Sequence, residues 1–510
     1  MPYVMGIDIG TYESKGVITD RAGQIVARAS IAHELEMPKR GWAEHDAEKV
    51  WWHDFTYLSN VLIDEVSQKY GIQSSEIKAV GASSIAPAVV PIDVQGRPLR
   101  KAVLYGIDTR TEAEIEQLTK EIGVQRILRM AGQHLSSQSA GPKILWIRNH
   151  EPEVYQQTYK FLSGSGYLVY KLCREYVMDR YTAASFSPLF HLHKLEWNPE
   201  VVEYITELDK LPRLVWSYET VGEVTRESSM ETGLAPGTKV IAGTADALSE
   251  SISVGAVHHG DLMLMYGSST FFILVSDNLP ESEVFWPSIH AVPGLKTVTG
   301  GTATAGSITR WFAENWMDLS LNVDSVSEKK LDQIYSLLAQ EAQKSPPGSN
   351  GLLTLPFFSG ERTPIHDPNA KGVQFGLTLQ HKKQDLYRSI LEGIAYSIRN
   401  NLDEMRKLHL DIHRVVAVGG GVKNRLWLQS VSDICEVDQF IPSVTIGASY
   451  GDAFLCALGL GWYKSIEEVD QWVHMDHRIE ADTSNLLLYR KLYSLYLQLY
   501  ERTKELMKEI

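Results

Sequence analysis

Two glycine-containing turns, one near the start of each half, restrict what this chain can fold into more than any other feature. The first is Met5-Gly6-Ile7-Asp8-Ile9-Gly10-Thr11, which runs on into Ser14-Lys15-Gly16-Val17-Ile18. The second is Met263-Leu264-Met265-Tyr266-Gly267-Ser268-Ser269-Thr270, which runs on into Phe271-Phe272-Ile273-Leu274-Val275. Each reads as an apolar strand, a tight turn rich in glycine and hydroxyl groups, and a second apolar strand. Glycine lets the backbone come close to a phosphate, so that amides and hydroxyls can point at its oxygens. Gly10, Thr11, Gly267, Ser268 and Ser269 are therefore candidate phosphate contacts. Two such turns facing each other make a nucleotide site between two related domains; two ordinary hairpins are the alternative.

At 510 residues the chain is long for one core, so two large domains or three smaller ones are expected. An apolar fraction of 44% and a charged fraction of 22% are those of a soluble globular protein. The net charge of −14, with no dense Lys/Arg stripe, argues against nucleic-acid binding. It also means that any phosphate site must be built locally. Three cysteines stand far apart without CxxC spacing, as reduced thiols in a cytoplasmic protein would. The N-terminus enters a strand directly without signal-peptide layout. No apolar run is long enough to span a bilayer, so no membrane partner is expected.

Residues 3–35 read as a strand meander, and Ala47–Lys69 as a helix with Val50, Trp51, Phe55, Leu58, Val61, Leu62 and Val66 on one side. Ile77–Asp93 carries two strands, and Thr109–Ile127, Lys143–Asn149 and Tyr155–Leu172 read as helices. Val240–Gly243 is a short buried strand leading into Thr244-Ala245-Asp246, where the domain boundary is placed: 1–245 and 246–510. The second half repeats the plan. A hairpin at 261–275 is followed by a strand at Lys296–Thr299 and by Gly300-Gly301-Thr302 opening a helix. Then come a helix from Gln384 to Met405, a strand Arg414–Val418 ending in Gly419-Gly420-Gly421, and a helix from Asn424. In the tail, Leu488, Leu492, Leu495 and Leu499 fall at helical spacing; core or inter-domain packing is the expectation, and a subunit contact is the alternative. A homodimer stays open. Mixed strands and helices point to two α/β domains around a cleft.

Asp8 lies inside an apolar strand, where a carboxylate is expensive unless it meets a cation or strong donors. A magnesium ion held through water and paired with nucleotide phosphates would satisfy it; a turn-bonding Asp is the alternative. Lys15 follows the turn and could neutralise a phosphate. Asp246 lies just after a buried strand and before a helix, which places a carboxylate at the carboxyl end of a strand. There it suits the group that orients an alcohol and accepts its proton in phosphoryl transfer; a helix N-cap is the alternative. Gly301, Gly420 and Gly421 join strands to helices whose free amides could meet a nucleotide. Triple glycine without GxGxxG spacing disfavours a Rossmann reading. HExxH and Cys/His ligand sets are missing from the sequence.

Taken together, these residues resemble the FGGY carbohydrate kinases over nearly the whole chain and in the family's order. Gly6–Thr11 is followed by Gly41-Trp42-Ala43-Glu44-His45-Asp46, Asp108-Thr109-Arg110 and Pro142-Lys143-Ile144-Leu145-Trp146. Then come Gly243–Asp246, Tyr266–Ser269 and Gly360-Glu361-Arg362-Thr363-Pro364, the last continuing through Asp367–Gly372 to Phe375-Gly376-Leu377. Leu391-Glu392-Gly393-Ile394-Ala395 and Gly419–Asn424 complete the series. The resemblance implies two ribonuclease-H-like domains of the actin/sugar-kinase/Hsp70 type, with sugar bound mainly by the first and ATP with Mg2+ mainly by the second. It implies Asp246 as catalytic base, Asp8 as the magnesium-associated residue, and phosphate turns at Gly10-Thr11 and Gly267-Ser268-Ser269. Nucleotide contacts are implied near Gly301, Gly420, Gly421 and Asn424. Glu44, Asp108 and Arg110 are candidate sugar-side residues, with salt bridging as their alternative. The departures from the family concern the sugar: Ile85-Ala86-Pro87-Ala88 replaces Met-His-Gly of xylulose kinases, Ala247 follows the base, and Tyr105 stands where Trp is common. The expected activity is phosphorylation of a primary hydroxyl on a small sugar, with a ketopentose leading. Another polyol or a sugar acid, or a non-catalytic sensor, is the alternative.

Overall fold

The computed structural model describes residues 2–280, 282–316 and 328–510. They form two compact units. One comprises Met1–Val257, Pro287–Thr297 and Ile446–His474, and the other His258–Trp286, Val298–Thr445 and Met475–Ile510. The chain thus leaves the first unit after Val257, and Asp246 lies inside that unit.

The first unit is built on a mixed sheet. The opening strand Tyr3–Ile9 pairs antiparallel with Glu13–Asp20, which pairs antiparallel with Ile25–Ala32. On its other side the opening strand runs parallel to Ile77–Ser84, with Asp8 opposite Ser83. Lys239–Ile241 and then Thr244–Ala245 lie parallel to Ile77–Ser84, and Thr220–Glu223 closes the edge. Such parallel strands, covered on both faces, read as continuous apolar runs. The opening strand, Ile77–Ser84 and Thr244–Ala245 end side by side, which puts Asp8, Ser83 and Asp246 at one end of the sheet. In open α/β sheets that carboxyl end is where ligands bind.

The helix Ala448–Gly459 is buried along nearly all its length, as its apolar composition requires, and packs on the opening strand. The approach is so close that a Cβ on Gly6 would lie 2.0 Å from the carbonyl oxygen of Ser449. This helix is far in sequence from the strand it covers, so a boundary read along the chain does not find it.

Three expected elements differ. Tyr155–Leu172 is not one helix: a helix Pro152–Gln157, a strand Lys160–Leu162 paired with Val90–Ile92, and a helix Gly164–Cys173 occupy that stretch. Ser163 breaks it, its hydroxyl accepting from the amide of Gly166 as an N-cap. Thr109–Ile127 is divided at Gly123 into helices Glu112–Ile122 and Val124–Ala131. The strand Lys296–Gly301 runs through both glycines, and its helix starts only at Gly306.

The second unit carries a seven-stranded sheet. The hairpin Asp261–Tyr266/Thr270–Ser276 lies at its centre, and Arg414–Val418 runs parallel to the hairpin's first strand. Its core gathers Leu262, Leu264, Tyr266, Phe272 and Leu274 against the long helix Lys383–Lys407 and the terminal helix Leu486–Met507. On the terminal helix the buried face is set by tyrosines. Tyr489, Leu492, Tyr493, Tyr496, Leu499 and Tyr500 point inward, while Leu488 and Leu495 are 38% and 42% exposed. A leucine count alone gave half of that face to the wrong side.

Candidate functional site

In the first unit, side chains converge on the sheet end. The hydroxyl of Ser83 lies 2.8 Å from Asp8 Oδ1 and 2.7 Å from Asp452 Oδ2. Asp246 is the first residue of the helix Asp246–Ser253, and its Oδ1 accepts from the amide of Ala247 at 2.8 Å. The N-cap position belongs to Ala245. Glu250 follows one turn later on the same face.

These carboxyls share one electrostatic problem. Burial and then the charge of Asp8 push Asp246 up to about 8; the amide of Ala247 opposes this, and Glu250 adds to it. Burial raises Asp8 to about 6 against the lowering effects of Ser83 and Lys15, while Glu13 adds to the rise. Glu250 is raised to about 7 by burial and by Asp8, against Lys15 and the amide of Ala448. Asp452, sealed from solvent, is held well above the carboxylate range by burial and by Asp8, against bonds from Ser83 and Ser249. Lys15 is itself engaged with Glu13 at 3.1 Å. This surplus of negative charge fits a cation. Among the described residues no three His, Cys, Asp or Glu side chains form a protein-only cage.

The first glycine turn is braced from behind. Gly10 donates to the carbonyl of Glu13 at 3.1 Å, and its own carbonyl lies 3.2 Å from His33 Nε2. His33 is anchored to Asp54 at 2.7 Å, and Ser14 donates to the same Asp54 oxygen. The Thr11 hydroxyl lies 3.0 Å from that of Tyr105.

Glu44, Asp108 and Arg110 are brought together, but with one another. Arg110 bonds Asp108 at 2.7 Å and Glu44 at 2.8 Å, and its guanidinium lies 3.8 Å from the ring centre of Trp42. Asp108 also accepts from the amide of Ala43, and Arg100 ties Glu44 to Glu151. Lys143 is fully buried nearby and donates to the carbonyl of Ser137. Burial drives its ammonium down to about 8, with Asp108 opposing and Arg110 assisting.

In the second unit a cavity of about 890 Å3, the size of a nucleotide site, opens over the second turn. Gly267 and Ser268 line it, with Gly306, Ser307, Arg310 and Trp311 of the following helix and Gly420, Gly421, Lys423 and Asn424 beyond Arg414–Val418. Tyr387 and Trp427 supply aromatic faces. Gly420 has open space where a Cβ would stand, whereas Gly421 is packed against Trp427 and Tyr266. Asn424 caps the helix Arg425–Cys435 by accepting from the amide of Trp427. Ser269 turns its carbonyl to the amide of Gly267 and is not among the lining residues. Gly301 is placed apart: its amide donates to the Thr363 hydroxyl and its carbonyl accepts from Thr363, so its polar groups are spent inside the fold.

Sequence reading passed over Ser83, Ser249, Glu250 and Asp452. Two signals were available: a carboxylate four residues after Asp246 on one helix, and a lone Asp in the apolar run Ala448–Gly459.

One unit thus carries a cavity of nucleotide size beside a glycine turn, and the other a raised carboxyl at a sheet end; both are parts that a phosphotransferase needs. The chain belongs to the FGGY family of carbohydrate kinases, whose N-terminal domain matches residues 3–253 and whose C-terminal domain matches residues 262–460. Members transfer phosphoryl groups to an alcohol, with ATP as donor. A xylulose kinase of Staphylococcus epidermidis is 30% identical over 99% of this chain and 98% of its own length. A gluconokinase of Bacillus subtilis is 26% identical over 98% of this chain and 95% of its own. The crystal structure of a xylulose kinase from Rhodospirillum rubrum superimposes with a TM-score of 0.90 at 26% identity, covering 99% of each chain. Among the described residues no helix is long and apolar enough to cross a membrane.

Proposed function

We propose that this protein transfers the γ-phosphoryl group of ATP to a primary hydroxyl of a ketopentose, xylulose or ribulose, in the cytoplasm. The observation that carries the chemistry is the Asp246 carboxyl, at the end of parallel strands and raised to about 8, with Asp8 beside it. The similarity to xylulose kinase over the full chain supports the choice of sugar.

Asp246 orients the attacking hydroxyl and takes its proton as the oxygen–phosphorus bond forms and the bond to ADP breaks. Gly267, Ser268 and the open backbone at Gly420 hold the nucleotide, and Gly10, Thr11 and Lys15 receive the transferring phosphate. A magnesium ion associated with Asp8 through water supplies charge neutralisation on the phosphates when bound. Glu44, Asp108 and Arg110 form the rigid polar wall of the sugar side. Positioning of this kind lowers a barrier by roughly 7–11 kcal/mol.

The test is ADP release by the purified chain over pentuloses, hexuloses, polyols and sugar acids. Turnover on xylulose or ribulose is expected to exceed the others by at least tenfold. Consumption of gluconate in place of both pentuloses would instead establish the second reading, which the Bacillus gluconokinase similarity favours.

A further inference from the structure

We infer that Asp452 is a positioning residue for phosphoryl transfer, which locks Asp8 through Ser83 and, through Ser249, ties that lock to the helix bearing Asp246. The inference rests on the kinase reading above for the roles of Asp8 and Asp246.

Asp452 sits on the buried helix Ala448–Gly459 and has no exposed surface. Its two oxygens face different elements. Oδ2 accepts from the Ser83 amide at 3.0 Å and lies 2.7 Å from the Ser83 hydroxyl. Oδ1 lies 2.8 Å from the hydroxyl of Ser249, on the helix that begins with Asp246. Ser83 in turn reaches Asp8 Oδ1 at 2.8 Å, and Ser249 reaches the carbonyl of Ala448 at 2.8 Å. One side chain therefore sets the spacing between the strand that carries Asp8 and the helix that carries Asp246.

Counting protons gives its chemical form. The Ser83 hydroxyl has two short oxygen–oxygen contacts, one to Asp8 and one to Asp452, and each needs a hydrogen. The hydroxyl supplies one. A proton on Asp452 supplies the other: the carboxyl donates to Ser83, which is then free to donate to Asp8. A sealed carboxyl facing another carboxyl through one hydroxyl is favoured in this neutral form, because a second buried charge has no partner. Asn keeps the length and a donor toward the Ser83 hydroxyl but loses the acceptor for the Ser83 amide, and Ala loses both.

The experiment compares Asp452→Asn, Asp452→Ala and Ser83→Ala in the full chain. Two readouts are taken: sugar-dependent ADP release, and Mn2+ titrated with ADP present and followed by water-proton relaxation. Outer-shell partners of a metal-associated carboxylate typically contribute about 10–100-fold to metal affinity or activity. Asp452→Ala and Ser83→Ala are expected to lose about tenfold in kcat and in Mn2+ affinity, with the sugar KM within twofold. Asp452→Asn, which keeps part of the contacts, is expected to lose less than Asp452→Ala on both. Wild-type values in Ser83→Ala, or a loss in Asp452→Asn as deep as in Asp452→Ala, would overturn the inference. Ser83→Ala removes a single oxygen and decides the matter if Asp452→Ala does not fold. If Asp246→Asn retains turnover, the kinase reading fails, while the Mn2+ titration still judges the lock by itself.

Discussion

Asp246 has two properties that suit the proposed role of base for an alcohol: it stands at the first position of a helix, and burial, then the charge of Asp8, raises its affinity for a proton. Asp246→Asn is expected to cut sugar-dependent ADP release by at least about a thousandfold, while ADP affinity by calorimetry and the melting temperature stay near the parent's. Because the base must be ionised, kcat/KM is lost as pH falls below its pKa, by about tenfold per unit at the limit. Glu250 contributes negative charge to that pKa, so Glu250→Gln is expected to move the acid limb to lower pH. A limb that stays in place would separate Glu250 from the base. The place of Asp246, after a strand and at the start of a helix, was legible in the sequence because a carboxylate closing an apolar strand stands out. Asp452 was not, because one acidic letter in an apolar helix looks like an exposed face until the helix is seen to be buried. Glu44, Asp108 and Arg110 were legible as a group, but charge alone does not say whether such residues meet a ligand or one another; the stacking of Arg110 on Trp42 is visible only in three dimensions.

At the scale of elements, the motif Leu391–Ala395 holds the second unit's core together. Glu392 accepts from the Gly348 amide, the Ser349 hydroxyl and Arg388, and Tyr489 of the terminal helix joins the same oxygen as Arg388. Both charged side chains are almost fully buried. Removing one partner strands the other without water, so Arg388→Ala is expected to cost about 3–5 kcal/mol in urea unfolding. An effect below about 1 kcal/mol would show that water replaces the guanidinium. The helices and hairpins with strong periodicity, such as Lys383–Lys407 and 261–275, were readable from sequence. The stretch 155–172 was not, since its apolar residues suit a strand or a helix equally and Ser163 decides the break.

For the whole molecule, the raised carboxyls of the first unit couple stability to pH. The ordinary pKa of Asp or Glu in an unfolded chain is about 4, whereas Asp8, Glu250 and Asp246 are raised to about 6, 7 and 8. At these three groups the folded chain binds more protons than the unfolded one between those limits, so the stability they contribute is fully present near pH 4 and declines as pH rises toward 8. A divalent cation binding the ionised cluster offsets that decline. Mg2+ is therefore expected to raise the melting temperature more near pH 8 than near pH 5, and equal shifts would place the ion elsewhere. The family and its two-domain plan were legible from motifs in order, but the return of 446–474 to the first unit was not, because no local pattern marks a distant partner. That return has a consequence during synthesis. The helix that covers Tyr3–Ile9 is translated about 440 residues after that strand. The strand therefore waits with one apolar side uncovered, and chaperone dependence should track the time taken to translate everything in between.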